Sequence, residues 1–183
     1  DGQTMVSNAI GALAANGATQ TNLGLDMAQR ILSANPVQPN ETRYRVVIVF
    51  TDGAPTSYNG FEKDAANDAI THADAIKTAG ATVYTIGIFP GANATSAGTE
   101  PKGDLGQNSS SLNSACNWFM QQVSSNNGTP RTPSYYLSAA DTGSLSNIFQ
   151  QISDNIESGG SSSTLTEESV VRDIISPQFT LPA

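Results

Sequence analysis

Apolar residues recur along the chain with two spacings, one helical and one strand-like. Met5, Val6, Ala9, Ile10 and Leu13 predict a short amphipathic helix over residues 4–15, closed by Asn16-Gly17. A polar loop follows at 18–22. Leu23, Leu25, Ala28, Ile31 and Leu32 predict a second helix, with Thr21 or Asn22 as its N-cap and Pro36 and Pro39 beyond its end. Residues 44–50, Tyr-Arg-Val-Val-Ile-Val-Phe, are a continuous β-branched run, the pattern of a strand buried on both faces of a parallel sheet. The run stops at Thr51-Asp52-Gly53-Ala54-Pro55-Thr56. Residues 61–79 read as an Ala-rich helix with Ala65, Ala69, Ile70, Ala73 and Ile76 on its apolar side and Gly80 as C-cap. Residues 82–88 are the next strand. Strand, helix, strand with a connection this long is a βαβ crossover, which requires parallel strands.

Residues 89–110 are rich in Gly, Ser, Asn and Pro and show no period, so they read as a long surface loop. Leu112, Ala115, Phe119 and Val123 mark another helix, and Tyr135–Leu137 a short strand. Leu145, Ile148, Phe149, Ile152 and Ile156 mark a final amphipathic helix. Residues 158–163, Ser-Gly-Gly-Ser-Ser-Ser, read as a flexible linker. Residues 164–183 carry Leu165, Val170, Val171, Ile174, Ile175 and Phe179 in a strand-like pattern, expected to open a following arm or module or to return to the first domain. The expected fold class is α/β, with a doubly wound, mostly parallel sheet.

The net charge is -8, with eight Lys and Arg in 183 residues. Phosphate neutralisation needs clustered cations, so nucleic acid is not an expected partner. No apolar run is long enough to span a membrane, and direct membrane insertion is not expected. Only 13% of residues are charged, against abundant Ser, Thr, Asn, Gln and Gly, a composition that fits an extracellular bacterial surface. The single cysteine, Cys116, rules out an internal disulfide. The first residues, Asp1-Gly2-Gln3-Thr4, lack the basic and apolar regions of a signal peptide, so an export signal is expected upstream.

In open parallel sheets function gathers at the C-terminal ends of the strands, and Asp52 falls there, ahead of Gly53 and Pro55. A hard divalent cation takes oxygen ligands and keeps several waters, so a carboxylate and a few hydroxyls suffice to hold one. Thr19 or Thr21, in the loop before the second helix, is placed to offer a hydroxyl.

Four stretches, in this order, resemble the second half of a von Willebrand factor type A (vWA) domain: residues 16–25 (Asn-Gly-Ala-Thr-Gln-Thr-Asn-Leu-Gly-Leu), 46–56, 79–88, and 135–141 with 148–152. The resemblance covers residues 1 to about 157. It implies a protein-binding adhesion domain, not an enzyme, whose Mg²⁺ or Mn²⁺ sits at a metal-ion-dependent adhesion site. By resemblance, Thr19 and Asp52 are metal ligands, and a carboxylate of the protein ligand completes the shell. The family's D-x-S-x-S motif is not in this sequence; Asp141-Thr142-Gly143-Ser144-Leu145-Ser146 has its serines one residue too late. Residues 1–157 are therefore read as the C-terminal part of such a domain, with its N-terminal strands absent from this chain. The upstream half of the same domain becomes an expected partner. Metal binding by this chain alone is expected to be weak or absent, because a desolvated carboxylate with few compensating groups is costly. The linker and tail resemble those of Gram-positive surface proteins and pilus-tip adhesins, which implies a cell-surface or cell-wall location. The alternative is a metal-free structural stalk of a pilus or wall protein.

The remaining chemically capable residues read as structural. His72 lies on a helix with no second His or Cys near it. Cys116 reads as a buried, inert thiol. Asp64, Asp68 and Asp74 form a solvated helix face without the spacing of a calcium loop. Tyr135 and Tyr136 read as strand packing. A phosphatase-like aspartate pair would need a second Asp two residues after Asp52, where Ala54 stands.

Overall fold

The structure, a computed structural model, describes residues 2–12, 18–41, 43–51, 53–58, 60–139 and 142–161. Its elements follow as α1 (Gly2–Gly11), α2 (Thr21–Ala34), β1 (Val46–Thr51), α3 (Lys63–Thr78), β2 (Thr82–Gly87), α4 (Leu112–Val123), β3 (Tyr136–Ser138) and α5 (Thr142–Ser161). The strands lie in the order β1-β2-β3, and both pairings are parallel. The βαβ expectation is met: Val46 lies opposite Thr82 and Thr51 opposite Gly87, with α3 as the crossover.

The pleat divides the core in two. Val47, Val49 and Val83 face a cluster built from Leu25 of α2, Ala66, Ala69, Ala73 and Ile76 of α3, and Phe119, Met120 and Val123 of α4. The next residues along each strand, Val46, Tyr84, Ile86 and Leu137, face α5 through Ile148, Ile152 and Ile156. Helices thus cover both faces of a parallel sheet, the α/β architecture that the patterning predicts. The small Ala side chains of α3 let that helix sit close on the sheet. It ends in a Schellman motif: Gly80 takes φ 80°, its N–H donates to the Lys77 carbonyl (2.9 Å), and Ala81 N–H donates to Ile76 (3.2 Å).

Three sequence expectations need correction. β1 is not buried on both faces: Ile48 is 42% and Phe50 49% exposed. Among the described residues no strand pairs with its outer edge, and α5 covers only the part of that face over β2, β3 and Val46. The N-cap of α2 is neither Thr21 nor Asn22 but Gln20, which makes no side-chain cap bond. Thr21 N–H donates to the Thr19 carbonyl (3.0 Å), and the Asn22 side chain is drawn across to Asp68 on α3 (2.9 Å). Finally, α5 runs through residues 158–161, which composition assigned to a linker. A Gly in a helix costs only about 1 kcal/mol against Ala, too little to stop an established helix.

Arg45 ties the elements together just ahead of β1. Its guanidinium donates to the Leu32 carbonyl near the end of α2 (3.1 Å) and to the Ala79 carbonyl at the end of α3. Helix ends leave carbonyls without partners, and a cation there also suits the helix dipole.

The two faces of β1 and β2 make a measurable contrast. Ile86→Ala, at a fully buried position, is expected to cost about 2–5 kcal/mol. Phe50→Ala, despite its larger side chain, is expected to cost less than half of that. Urea unfolding of both variants checks the difference; equal losses would mean that Phe50 is covered in solution.

Candidate functional site

The C-terminal ends of β1 and β2 gather the chemically interesting loops. Thr51, buried, ends β1, and its hydroxyl accepts the Gly53 N–H (3.3 Å). Asp52, between them in the chain, lies outside the described residues. Thr19 is described and half-buried. Its carbonyl accepts the N–H of Thr56 at 3.0 Å, which joins the loop before α2 to the turn after β1. Thr19, Gln20 and Thr21 line one groove of about 380 Å³ with Leu25, Ala28 and residues 47–51. The structure thus brings Thr19 beside the end of the strand that leads into Asp52. Thr21 faces the same groove.

Glu62 organises the turn. Its carboxylate accepts the N–H groups of Ser57 (3.0 Å) and Tyr58 (3.1 Å) and the hydroxyls of Ser57 and Thr56. These bonds, the Ser57 hydroxyl first among them, hold its pKa below the usual carboxylate value. Tyr58 stands on this turn with its side chain 90% exposed. Sequence patterning did not single out Glu62. The available signal was an acid just ahead of a helix with Ser and Thr a few residues before it, which is common in turns.

The other residues behave as structural groups. His72 Nδ1 lies 2.7 Å from Gln29 Oε1, bridging α3 to α2. Asp64, Asp68 and Asp74 are exposed on α3, and Asp74 pairs with Lys77 (2.9 Å). Tyr136 is fully buried and donates to Asn117 Oδ1 (2.7 Å), while Tyr135 packs edge-on to Tyr84. Among the described residues, no three His, Cys, Asp or Glu come together as a metal cluster.

The family model for the von Willebrand factor type A domain matches residues 1–151. The chain belongs to that family. vWA domains are generally protein-interaction and adhesion modules, often metal-dependent, and are generally not enzymes. They often bind Mg²⁺ or Mn²⁺ and are often extracellular. No curated protein and no solved structure matches the chain. Among the described residues of this vWA chain, no helix is long and apolar enough to cross a membrane.

Two titrations test this geometry. Glu62 has a depressed folded pKa, so its contribution is complete above pH 4.5 and is lost as pH falls through the folded value. The amide of Tyr58 should therefore lose exchange protection on acidification before the β2 amides do, as read by NMR. Burial pushes the Cys116 thiol up to about 12, from 9.0. Ellman's reagent at pH 8 should leave Cys116 unlabelled in the folded chain and label it fully in urea; fast labelling of the folded chain would contradict its burial.

Proposed function

We propose that this vWA chain contributes to a metal-dependent adhesion site in which Asp52 and Thr19 hold a Mg²⁺ or Mn²⁺ in part, and a carboxylate of a protein ligand completes the shell. The observation that supports the reading most is the bond from Thr56 N–H to the Thr19 carbonyl. It sets the Thr19 loop against the turn that follows Asp52, at the strand ends where such sheets bind ligands. The donors are oxygens, which fits a hard cation, but two side chains do not make a six-ligand shell. The site is therefore read as one share of a larger one, completed by an upstream half of the same domain. When bound, the ion supplies a concentrated positive charge for the ligand's carboxylate. Thr19 supplies a neutral oxygen, and Asp52 supplies the balancing charge.

The same reading takes residues 1–157 as the C-terminal part of the domain and 164–183 as the start of a following arm. It places the protein on a bacterial surface, as an adhesin of the Gram-positive pilus-tip kind, engaging a host, matrix or surface protein. Two features of β1 support reading the domain as incomplete: among the described residues no strand pairs with its outer edge, and Ile48 and Phe50, on the face away from α3, are half exposed. An exposed apolar edge of this sort also invites association.

Calorimetric titration of Mn²⁺ into the intact protein tests the proposal. Binding should be abolished by Asp52→Ala and weakened at least tenfold by Thr19→Ala, the loss of one ligand at about 1.4 kcal/mol. This chain alone should bind weakly or not at all. No binding by the intact protein, or binding indifferent to Asp52→Ala, would sink the metal site and leave the metal-free structural stalk as the better reading.

A further inference from the structure

The long connection between β2 and α4 is not a free surface loop. Its first part is held by amide side chains from α4. Asn117 donates to the Gly91 carbonyl and accepts the Asn93 N–H, and Gln121 donates to the carbonyls of Ala94 and Ser96. Gly98 follows at φ 67°, where an added Cβ would lie 2.1 Å from the Trp118 nitrogen, and Thr99 N–H donates to the Ser114 carbonyl. The chain is therefore pinned to α4 before it crosses to the turn that follows β1.

That crossing is specific. Leu105 and Phe61 exchange both backbone bonds as an antiparallel bridge (2.8 and 2.9 Å). Phe61 is fully buried, edge-on to Phe119 of α4. Gly60 takes φ 76°, and a Cβ there would lie 2.0 Å from the Leu105 carbonyl oxygen. The N-terminus of α3 is capped from the same segment. Glu62, at the N-cap position, makes no cap bond of its own because its carboxylate is turned to Ser57 and Tyr58. Asp104 instead accepts the N–H of Lys63 at 2.8 Å, and the Lys63 ammonium pairs with Glu100 at 3.0 Å. Asp104 thus frees Glu62 to hold the turn, and the turn holds Thr19 through Thr56.

We propose that residues 99–106 act as a brace that sets the turn after β1 in its ligand-competent form, with Asp104 as the positioning residue. The chain of bonds runs from Asp104 to Lys63, from Glu62 to Ser57 and Tyr58, and from Thr56 to the Thr19 carbonyl. Asp104 touches no ligand; it acts through the cap. The brace rests on the reading of Thr19 and Asp52 as metal ligands, and its test separates the two.

Asp104→Ala, Asp104→Asn and Gly60→Ala are to be made in the intact protein. Two quantities are read: amide exchange at Thr56 and Tyr58, and Mn²⁺ affinity by calorimetry, with Tm as the control for global folding. Loss of a cap corresponds to about fivefold in local opening, so Asp104→Ala should raise exchange at these amides by about that factor. It should weaken Mn²⁺ several-fold with Tm nearly unchanged. Asp104→Asn, which still offers a carbonyl oxygen to Lys63, should restore both. Gly60→Ala, which drives the two segments apart, should reproduce the Ala effect at position 104. Unchanged exchange at Thr56 and Tyr58 in Asp104→Ala overturns the brace. So does an Asn variant as damaging as Ala, or an affinity loss that only follows a fall in Tm. If the unsubstituted protein binds no Mn²⁺, the metal reading fails, and the exchange data alone uphold or overturn the brace.

Discussion

The parallel ladder between β1 and β2 is the constraint from which the rest follows. Parallel strands cannot be joined by a tight turn, so the chain must cross over the sheet, and α3 makes that crossing. The same geometry sends every loop that leaves a strand to one end of the sheet. The turn after β1 and the long connection after β2 are therefore neighbours although some forty residues separate them. It also makes both faces of β2 interior, so Val83 and Ile86 each need a helix to cover them.

A long connection brings many backbone polar groups close to the core, and buried ones must be paired. Here α4 supplies the partners. It is unusual in burying the amides Asn117 and Gln121 as well as the apolar Phe119 and Met120. Unpaired, such amides would be costly; paired to the 91–96 backbone, they order it. Asn126 does the same for the approach to β3, accepting the Tyr135 N–H (2.8 Å) and donating to Gln121 (2.6 Å). Tyr136 closes the network, its hydroxyl on Asn117 and its pKa raised by burial. The outcome is a loop that lacks helix and strand yet is fixed along much of its course, which is what a binding surface needs if ordering is not to weaken association.

The candidate site was legible only in part. Asp52 and Thr19 stand out because a carboxylate after a β-branched run and a hydroxyl loop before a helix are local patterns. The contact between Thr19 and Thr56 is not local, and neither is the cap that Asp104 gives to Lys63. No periodicity encodes it, since it depends on how two irregular segments meet. The N-cap of α2 was misplaced for a related reason. Asn22 has the chemistry of a cap, but Asp68 on another helix takes its side chain. Local propensity offers a choice, and a tertiary partner decides it.

The periods of the chain are enough to find most of the helices and strands, and the length of the connection is enough to make β1 and β2 parallel. The spacing of Ala and Ile in α3 and the apolar runs of β1 and β2 suffice because helical and strand periods are short-range and parallel sense follows from connection length; the place of β3 beside β2 does not follow from them. The same periods place Cys116 on α4 and Tyr135 and Tyr136 at the last strand as packing residues, and Cys116 and Tyr136 are buried there. How deeply each face is covered, that α5 runs on through residues 158–161, and which side chains hold the long loop are matters of packing. Those outcomes depend on which neighbours are present. Ile48 and Phe50 are as apolar as Val47 and Val49, yet they differ in burial because helices pack over one side of β1 and leave much of the other open.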